Sequence, residues 1–398
     1  MMTLLEGIRV LDFGRFIAGP YCAALLGDHG ADVVRIERPE GAEDRYLLPV
    51  TDDGEGATFL QMNRNKRSLA LDPGHPQGRR IVQRLVRDAD VIVANLPPQT
   101  LKRMGLDWDT VSALNPRIVL TAPTAFGTVG PYADRVGFDS VGQAMSGAMF
   151  MSGLPDAPSR AAVPYIDFHT AMAGAFGTMA ALLARERTGR GQKVEPSLLR
   201  SGIIHANTLL MEQALRKPDR VPIGNRSFAA GPVDVFRARD GWIIVHAIGA
   251  SMFERWCQLV GRPELRDDPR FADDLLRGDH GAELSGIMAD WCARRTVAQA
   301  LDEMATVKLP GAPVLSPQQA LDDPHIREAG LLQPMTYPGL AGTFPLAAHP
   351  AELSETPASY RRPPPRLGEH SAEVLGEIGL SGEEIGALVA QGVVGVAG

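Results

Sequence analysis

Residues Ile8–Arg38 read IRVLDFGRFIAGPYCAALLGDHGADVVRIER. The apolar run Ile8–Phe13, set between Gly7 and Gly14, has the length and composition of a buried strand. Ala18–His29 reads as a helix, with Pro20 near its first turn, where a missing N–H costs little. Ala31–Arg38 is a second strand. Two strands joined by about a dozen helical residues make a βαβ unit, which is parallel and right-handed. The pattern repeats downstream: Arg79–Arg87 is predicted helical, Asp90–Ala94 a strand, Trp108–Leu114 a helix and Arg117–Ala122 a strand. The fold class of this region is therefore α/β, a Rossmann-like open parallel sheet, and ligands of such sheets sit at the carboxyl ends of the strands.

A dinucleotide does not suit the first turn. Gly14-Arg15-Phe16-Ile17-Ala18-Gly19 lacks the GxGxxG spacing, and Phe16 and Ile17 occupy positions where a pyrophosphate needs bare backbone. Glu37 stands where a ribose-binding acid belongs, but Arg38 follows it directly. The loops after the strands carry cations instead: Arg15, then Arg38, then Arg64, Lys66 and Arg67 in Asn63–Ser68, then Lys102 and Arg103. Several such residues at one edge of a parallel sheet suit an anion, because guanidinium forks match phosphate oxygens.

Composition narrows the class of molecule. The 398 residues carry 40 Lys and Arg against 47 Asp and Glu, a net charge of −7 that disfavours a nucleic-acid partner. Cys22, Cys257 and Cys292 lack CxxC spacing, so neither a disulfide framework nor a metal site is expected, and a reducing cytoplasm suits them. The N-terminal residues have no signal-peptide pattern, and no uninterrupted apolar run of membrane-spanning length occurs, so a cytoplasmic protein without a membrane partner is expected.

Val163–Arg190 holds one conspicuous acid. Asp167 stands alone between an apolar, extended approach and a helix of small residues, with that helix expected over Ala171–Arg187. An N-cap role and a nucleophilic role, with the helix end keeping the carboxylate ionised, both suit it. Upstream, Phe138–Met151 is rich in small residues and allows close backbone packing. Another helix is predicted over Pro196–Arg216, and the Pro- and Gly-rich Arg216–Gly231 reads as a linker. A hairpin turning at Asp240-Gly241 follows, then helices at Ser251–Val260, Glu283–Cys292 and Val297–Thr306. The proline-rich tail, with helices near Ser371–Ile378 and Ser381–Gln391, is expected to wrap another surface rather than form a third domain.

Taken in order, several blocks resemble the family III CoA-transferases. They are LEGIRVLDFGRFIAGPYCAALLGDHGADVVRIERPEG at the start, NRNKRSLALD at Asn63–Asp72, LKRMGLDWDTVSALNPRIV at Leu101–Val119 and GFDSVGQAMSG at Gly137–Gly147. The Asp167 stretch with RERTGRGQKVEPSLL, GNRSFAAGPVDVFRARDGW at Gly224–Trp242 and PRLGEHSAEVL at Pro365–Leu375 complete the set. The resemblance spans nearly the whole chain. It implies a large domain built from both chain ends (1–216 and 321–398), a linker and small α+β domain at 217–320, and an interlocked homodimer.

It further implies transfer of CoA from an acyl-CoA to a small carboxylic acid, with Asp167 the catalytic residue. No permanently bound cofactor or metal is implied; coenzyme A and acyl-CoA are substrates. Arg15, Phe16, Ala18, Arg38, Lys66 and Arg103 fall at CoA-binding positions, Asp139 at an acidic position near the thioester, and Gly224 opens the glycine loop expected to supply oxyanion donors. Ile17 departs from members with a polar residue there. The related α-methylacyl-CoA racemases need a histidine in a GHD motif; this chain has Gly137-Phe138-Asp139, so the base is missing, and His169 is a wall or orienting residue. A racemase-type enzyme and a non-catalytic CoA-binding protein are the alternatives. The acyl donor and acceptor are left open.

Overall fold

The computed structural model describes residues 3–397. They divide into two compact units, one of 3–148, 161–215 and 330–397, the other of 149–160 and 216–329. The short excursion 149–160, a small hairpin pairing Gly153–Leu154 with Ala157–Pro158, belongs to the second unit rather than the first.

The first unit is built on seven strands: β1 (Arg9–Asp12), β2 (Asp32–Glu37), β3 (Lys66–Leu71), β4 (Val91–Val93), β5 (Val119–Thr121), β6 (Lys193–Val194) and β7 (Val394–Gly395). Their order across the sheet is β7-β3-β2-β1-β4-β5-β6. All neighbours run parallel except β7, which is antiparallel to β3. Strand order reverses between β1 and β4, and at such a point the flanking loops part to leave a crevice.

Alternate residues of each strand enter different cores, which explains why the strands read as unbroken apolar runs. Val10, Val33, Val91 and Val119 pack on one side with Cys22, Leu25 and Leu26 of α1 (Ala18–Asp28). Leu11, Val34, Ile92 and Leu120 pack on the other, with Ile81, Val82 and Leu85 of α2 (Pro76–Asp88). Every residue of α1 is buried, because a long apolar helix, α4 (Tyr165–Thr188), lies over it. By length and composition α4 is apolar enough to cross a bilayer, a property the absence of an unbroken apolar run did not suggest; its inner face belongs to the sheet's core.

Asn63–Ser68 is not a cationic loop. From Lys66 onward it is β3, wholly buried, and its charges are matched internally. Lys66 Nζ donates to Asp12 Oδ2 at 2.7 Å, Pro20 O at 2.8 Å and Asn63 Oδ1 at 2.9 Å. Arg64 pairs with Asp28, and Arg67 with Asp32, Glu373 and Glu377. The last part of the tail is integral to this unit. Helix Ser371–Glu377 packs on β3, where Ser371 Oγ accepts the Ala70 N–H at 3.1 Å, and β7 closes that edge of the sheet.

The second unit has the expected hairpin, Val233–Arg237 against Trp242–His246, extended by a third strand at Gly311–Pro313. Helices Ala250–Leu259, Gly281–Cys292 and Val297–Thr306 surround a core centred on Phe253, Trp256, Phe271 and Met288.

Lys66→Met removes the cation from a fully enclosed pair and strands Asp12. Breaking a buried ion pair from one side costs about 3–5 kcal/mol, and denaturant unfolding is expected to show a loss of that order.

Candidate active site

The first turn after β1 is fixed from three directions. Gly14 admits no side chain, since a Cβ there would lie 2.7 Å from both Asp12 Oδ1 and Pro20 Cδ. Arg15 N–H donates to Asn95 Oδ1 at 2.7 Å, and Asn95 Nδ2 returns a bond to Arg15 O at 2.9 Å, tying the β1 turn to the β4 turn. Phe16 takes a left-handed backbone, φ 61°, and its N–H donates to Asp44 Oδ2 at 3.2 Å. Asp44 is held by Arg35, whose Nη2 lies 3.0 and 2.9 Å from its two oxygens in a fully buried pair. A non-glycine residue at positive φ is strained and persists only where its surroundings over-determine it.

Two cavities open beside this turn at the carboxyl ends of the strands. The smaller, about 270 Å³, is lined by Phe16, Ala18, Asn95, Phe138, Asp167 and Leu198 among others. The Phe16 and Phe138 rings meet edge to face, centroids 5.3 Å apart. The larger, about 600 Å³, is lined by Arg38, Tyr46, Asp72, Thr100 and Arg103 among others. Arg15 and Leu96 border both. Burial lowers the Arg15 pKa, helped by the neighbouring Arg35 charge, while its guanidinium donates to Gly14 O at 3.0 Å.

Asp167 is a residue of the first turn of α4, not its cap. The helix begins at Tyr165, six residues earlier than the sequence suggested, and Pro164 takes the cap position. The free N–H groups are served from α3 (Asp139–Met145), where Asp139 Oδ1 accepts from Ile166 N at 2.8 Å and from Asp167 N at 3.0 Å. Gln143 Nε2 donates to Asp139 Oδ2 at 2.5 Å, and Gln143 Oε1 accepts from Ala161 N at 3.0 Å. Asp167 is 9% exposed. Burial, and then the Asp139 charge, push its carboxyl up from 3.8 to about 7. The expectation that the helix end keeps it firmly ionised is therefore corrected: an anion already occupies that end.

Of the residues singled out from sequence, Arg15, Phe16, Ala18 and Asp167 meet on the smaller cavity, and Arg15, Arg38 and Arg103 on the larger. Lys66 lies on neither; its ammonium is enclosed with Asp12. Asp139 is beside Asp167, with both carboxylate oxygens taken by the α4 N–H groups and Gln143. Gly224 lies in the second unit at φ 70°, and its N–H donates to Gly153 O at 3.0 Å, so it is not a free donor. His169 Nδ1 lies 2.6 Å from His205 Nε2 of α5 (Leu198–Arg216), and His169 does not line the Asp167 cavity. Asn95, Asp44 and Gln143 were missed. Only Asn95 carries a local signal, a polar residue directly beyond an apolar strand beside the reversal point.

The sequence matches CoA-transferase family III over residues 5–371, and the chain belongs to that family, enzymes that move CoA from acyl-CoA thioesters to carboxylates. It is 34% identical to the succinyl-CoA–L-malate CoA-transferase beta subunit of Chloroflexus aurantiacus, over 98% of each chain. A succinate–glutarate CoA-transferase of Agrobacterium fabrum is 34% identical, with 94% of this chain and 95% of that one covered. Among solved structures, a CaiB/BaiF family protein from Brucella suis aligns at 30% identity with a TM-score of 0.83, covering 95% of this chain and 100% of the other.

The raised Asp167 pKa makes a stability prediction with a definite sign. The folded state holds the Asp167 proton more tightly than the unfolded chain, so ionisation opposes folding as pH rises above 3.8, fully so above about 7. Each pKa unit is worth about 1.4 kcal/mol. Asp167→Asn is expected to stabilise the fold by up to about 4 kcal/mol at about pH 8 and by almost nothing at about pH 4, which denaturant unfolding at the two pH values would register.

Proposed function

We propose that Asp167 carries the transfer covalently. Its carboxylate attacks the thioester carbonyl of an acyl-CoA, the C–S bond breaks, and CoA thiolate leaves with the electron pair, giving a mixed anhydride. The thiolate then attacks the aspartyl carbonyl, releasing the donor acid and leaving an aspartyl-CoA thioester. An acceptor carboxylate reverses the two steps. Anhydride and thioester are close in energy, so no external energy source is required, and covalent catalysis divides one hard exchange into easier ones.

The observation that carries this reading is the placement of Asp167, a buried carboxylate whose ionisation is opposed, on a mostly apolar cavity beside the strand-order reversal. A carboxylate with its pKa near neutrality is more basic than usual yet still ionised in part. Ile166 is buried and the Phe168 ring packs on Tyr21, centroids 5.0 Å apart, an apolar flank suited to keeping water from hydrolysable intermediates. Arg38, Arg103 and Arg15 suit the phosphates and nucleotide of CoA in the larger cavity, with the thioester arm passing Arg15 and Phe16 toward Asp167.

The relatives' names include succinyl-CoA, so succinyl-CoA is the donor of first choice, with a panel of dicarboxylates and monocarboxylates as acceptors. An interlocked homodimer is part of the same proposal, supported by exposed apolar side chains on α4 and α5, among them Phe176, Leu183, Ile204 and Leu215. The three free, buried thiols suit a reducing cytoplasm.

Incubation with succinyl-CoA and hydroxylamine is expected to inactivate the enzyme with time and to leave a hydroxamate on the Asp167 peptide. Asp167→Ala should lose label and at least about a thousandfold in activity. Uptake of α-deuterium from D₂O without acyl exchange would instead indicate a racemase and overturn the proposal. So would CoA binding with neither reaction.

A further inference from the structure

The Asp139 carboxylate has an unusual neighbour. It sits at the positive end of α4 and accepts two of the N–H groups that begin that helix, one of them belonging to Asp167. An anion in that place is stabilised by the unpaired N–H groups and the helix dipole. It is buried, 6% exposed, and its other oxygen is gripped by Gln143. Gln143 in turn bonds the Ala161 N–H, where the chain rejoins the first unit. Nothing in this arrangement reaches toward substrate, yet it sets both the position of Asp167 and the charge beside it.

We propose that Asp139 is a positioning residue for the transfer: it locks the first turn of α4 and presses a second negative charge against the Asp167 carboxylate, a repulsion that acylation relieves. This rests on Asp167 being the nucleophile. When its oxygen bonds to the acyl carbon and the C–S bond breaks, the negative charge passes from Asp167 to the departing sulfur. The aspartyl anhydride is neutral, so the like-charge contact with Asp139 disappears. Asp139 thus raises the resting carboxylate relative to the acylated enzyme, while its two accepted hydrogen bonds hold the attacking group in register.

The charged and titratable groups around Asp167 are few. Asp139 faces it from α3; Arg15 and Arg135 line the same cavity from the first turn and the loop before α3. Tyr165 and His169 lie on α4 itself, and His169 is turned to His205 on α5. Of these, Asp139 is the neighbour whose charge adds to burial in pushing the Asp167 carboxyl up to about 7. The two arginines border the cavity without reversing that direction.

The test is the pH dependence of single-turnover acylation by succinyl-CoA, followed by trapping with hydroxylamine. In the wild type the rate should fall with an acid limb near 7, because only the carboxylate attacks. Asp139→Asn keeps an acceptor oxygen for the two N–H groups and removes the charge. Its acid limb should move down by about one pH unit or more, with slower acylation on the plateau. Gln143→Leu loosens the clamp and leaves the charge; it should slow acylation while its limb stays near the wild-type value. If Asp139→Asn does not fold, Asp139→Ser, with one acceptor oxygen and no charge, gives the same reading. A wild type that acylates normally, paired with an uncharged variant whose limb has not moved, would overturn this inference alone. So would a Gln143→Leu limb displaced as far as that of the uncharged variant. A wild type that is never acylated would instead remove the covalent reading beneath it.

Discussion

Two carboxylates share the head of one apolar helix, and much of the site follows from that contact. Asp139 caps α4 from a separate helix, which frees Asp167 from capping and lets it line the cavity. Capping from elsewhere also lets α4 begin as early as Tyr165, so that Asp167 is held by helical backbone rather than by a flexible approach. The arrangement is costly, because two buried acids repel each other. Strain of this kind is tolerated where function needs a reactive group and the remaining structure is strong enough to impose it.

Here the geometry is imposed by buried ion pairs around the sheet. Arg35 with Asp44, Arg45 with Glu37 and Glu55, Lys66 with Asp12, and Arg64 with Asp28 all have one or both partners essentially enclosed. Such pairs add little net stability compared with apolar packing, but they are intolerant of misplacement. Asp12 and Asp44 each also hold a backbone N–H of the first turn, at Gly14 and Phe16. The network therefore fixes loop geometry more than it strengthens the core. It keeps Phe16 in its left-handed conformation on the cavity wall.

The central βαβ pattern was legible because strands covered on both faces read as continuous apolar runs, as Ile8–Phe13 and Asp90–Ala94 do. Strand β3 was not, since Lys66 and Arg67 look like solvated loop cations until Asp12, 54 residues away, and Asp32 are seen beside them. Strand β7 is two residues long and follows a proline-rich stretch, too little for any periodicity. At the site, Asp167 stood out because it was a lone acid in apolar surroundings. The role of Asp139 depends on a contact across 28 residues, which the resemblance that placed it near the thioester does not reveal. Arg15 and Arg38 were legible because they stand in the turns just past strands at the ligand edge, and Arg103 because the short helix Pro98–Met104 that carries it follows β4.

That covalent passage through Asp167 is the central claim, and oxygen exchange tests it most directly. Succinyl-CoA and succinate labelled with oxygen-18 in both carboxylates, mixed with the enzyme in ordinary water, make donor and acceptor the same acid. In each cycle an acceptor oxygen should enter the anhydride and remain on Asp167 when the thiolate takes the acyl group. The Asp167 peptide should therefore gain one oxygen-18 label after a single cycle and up to two after many. CoA exchange proceeding at full rate with that peptide unlabelled would contradict the account.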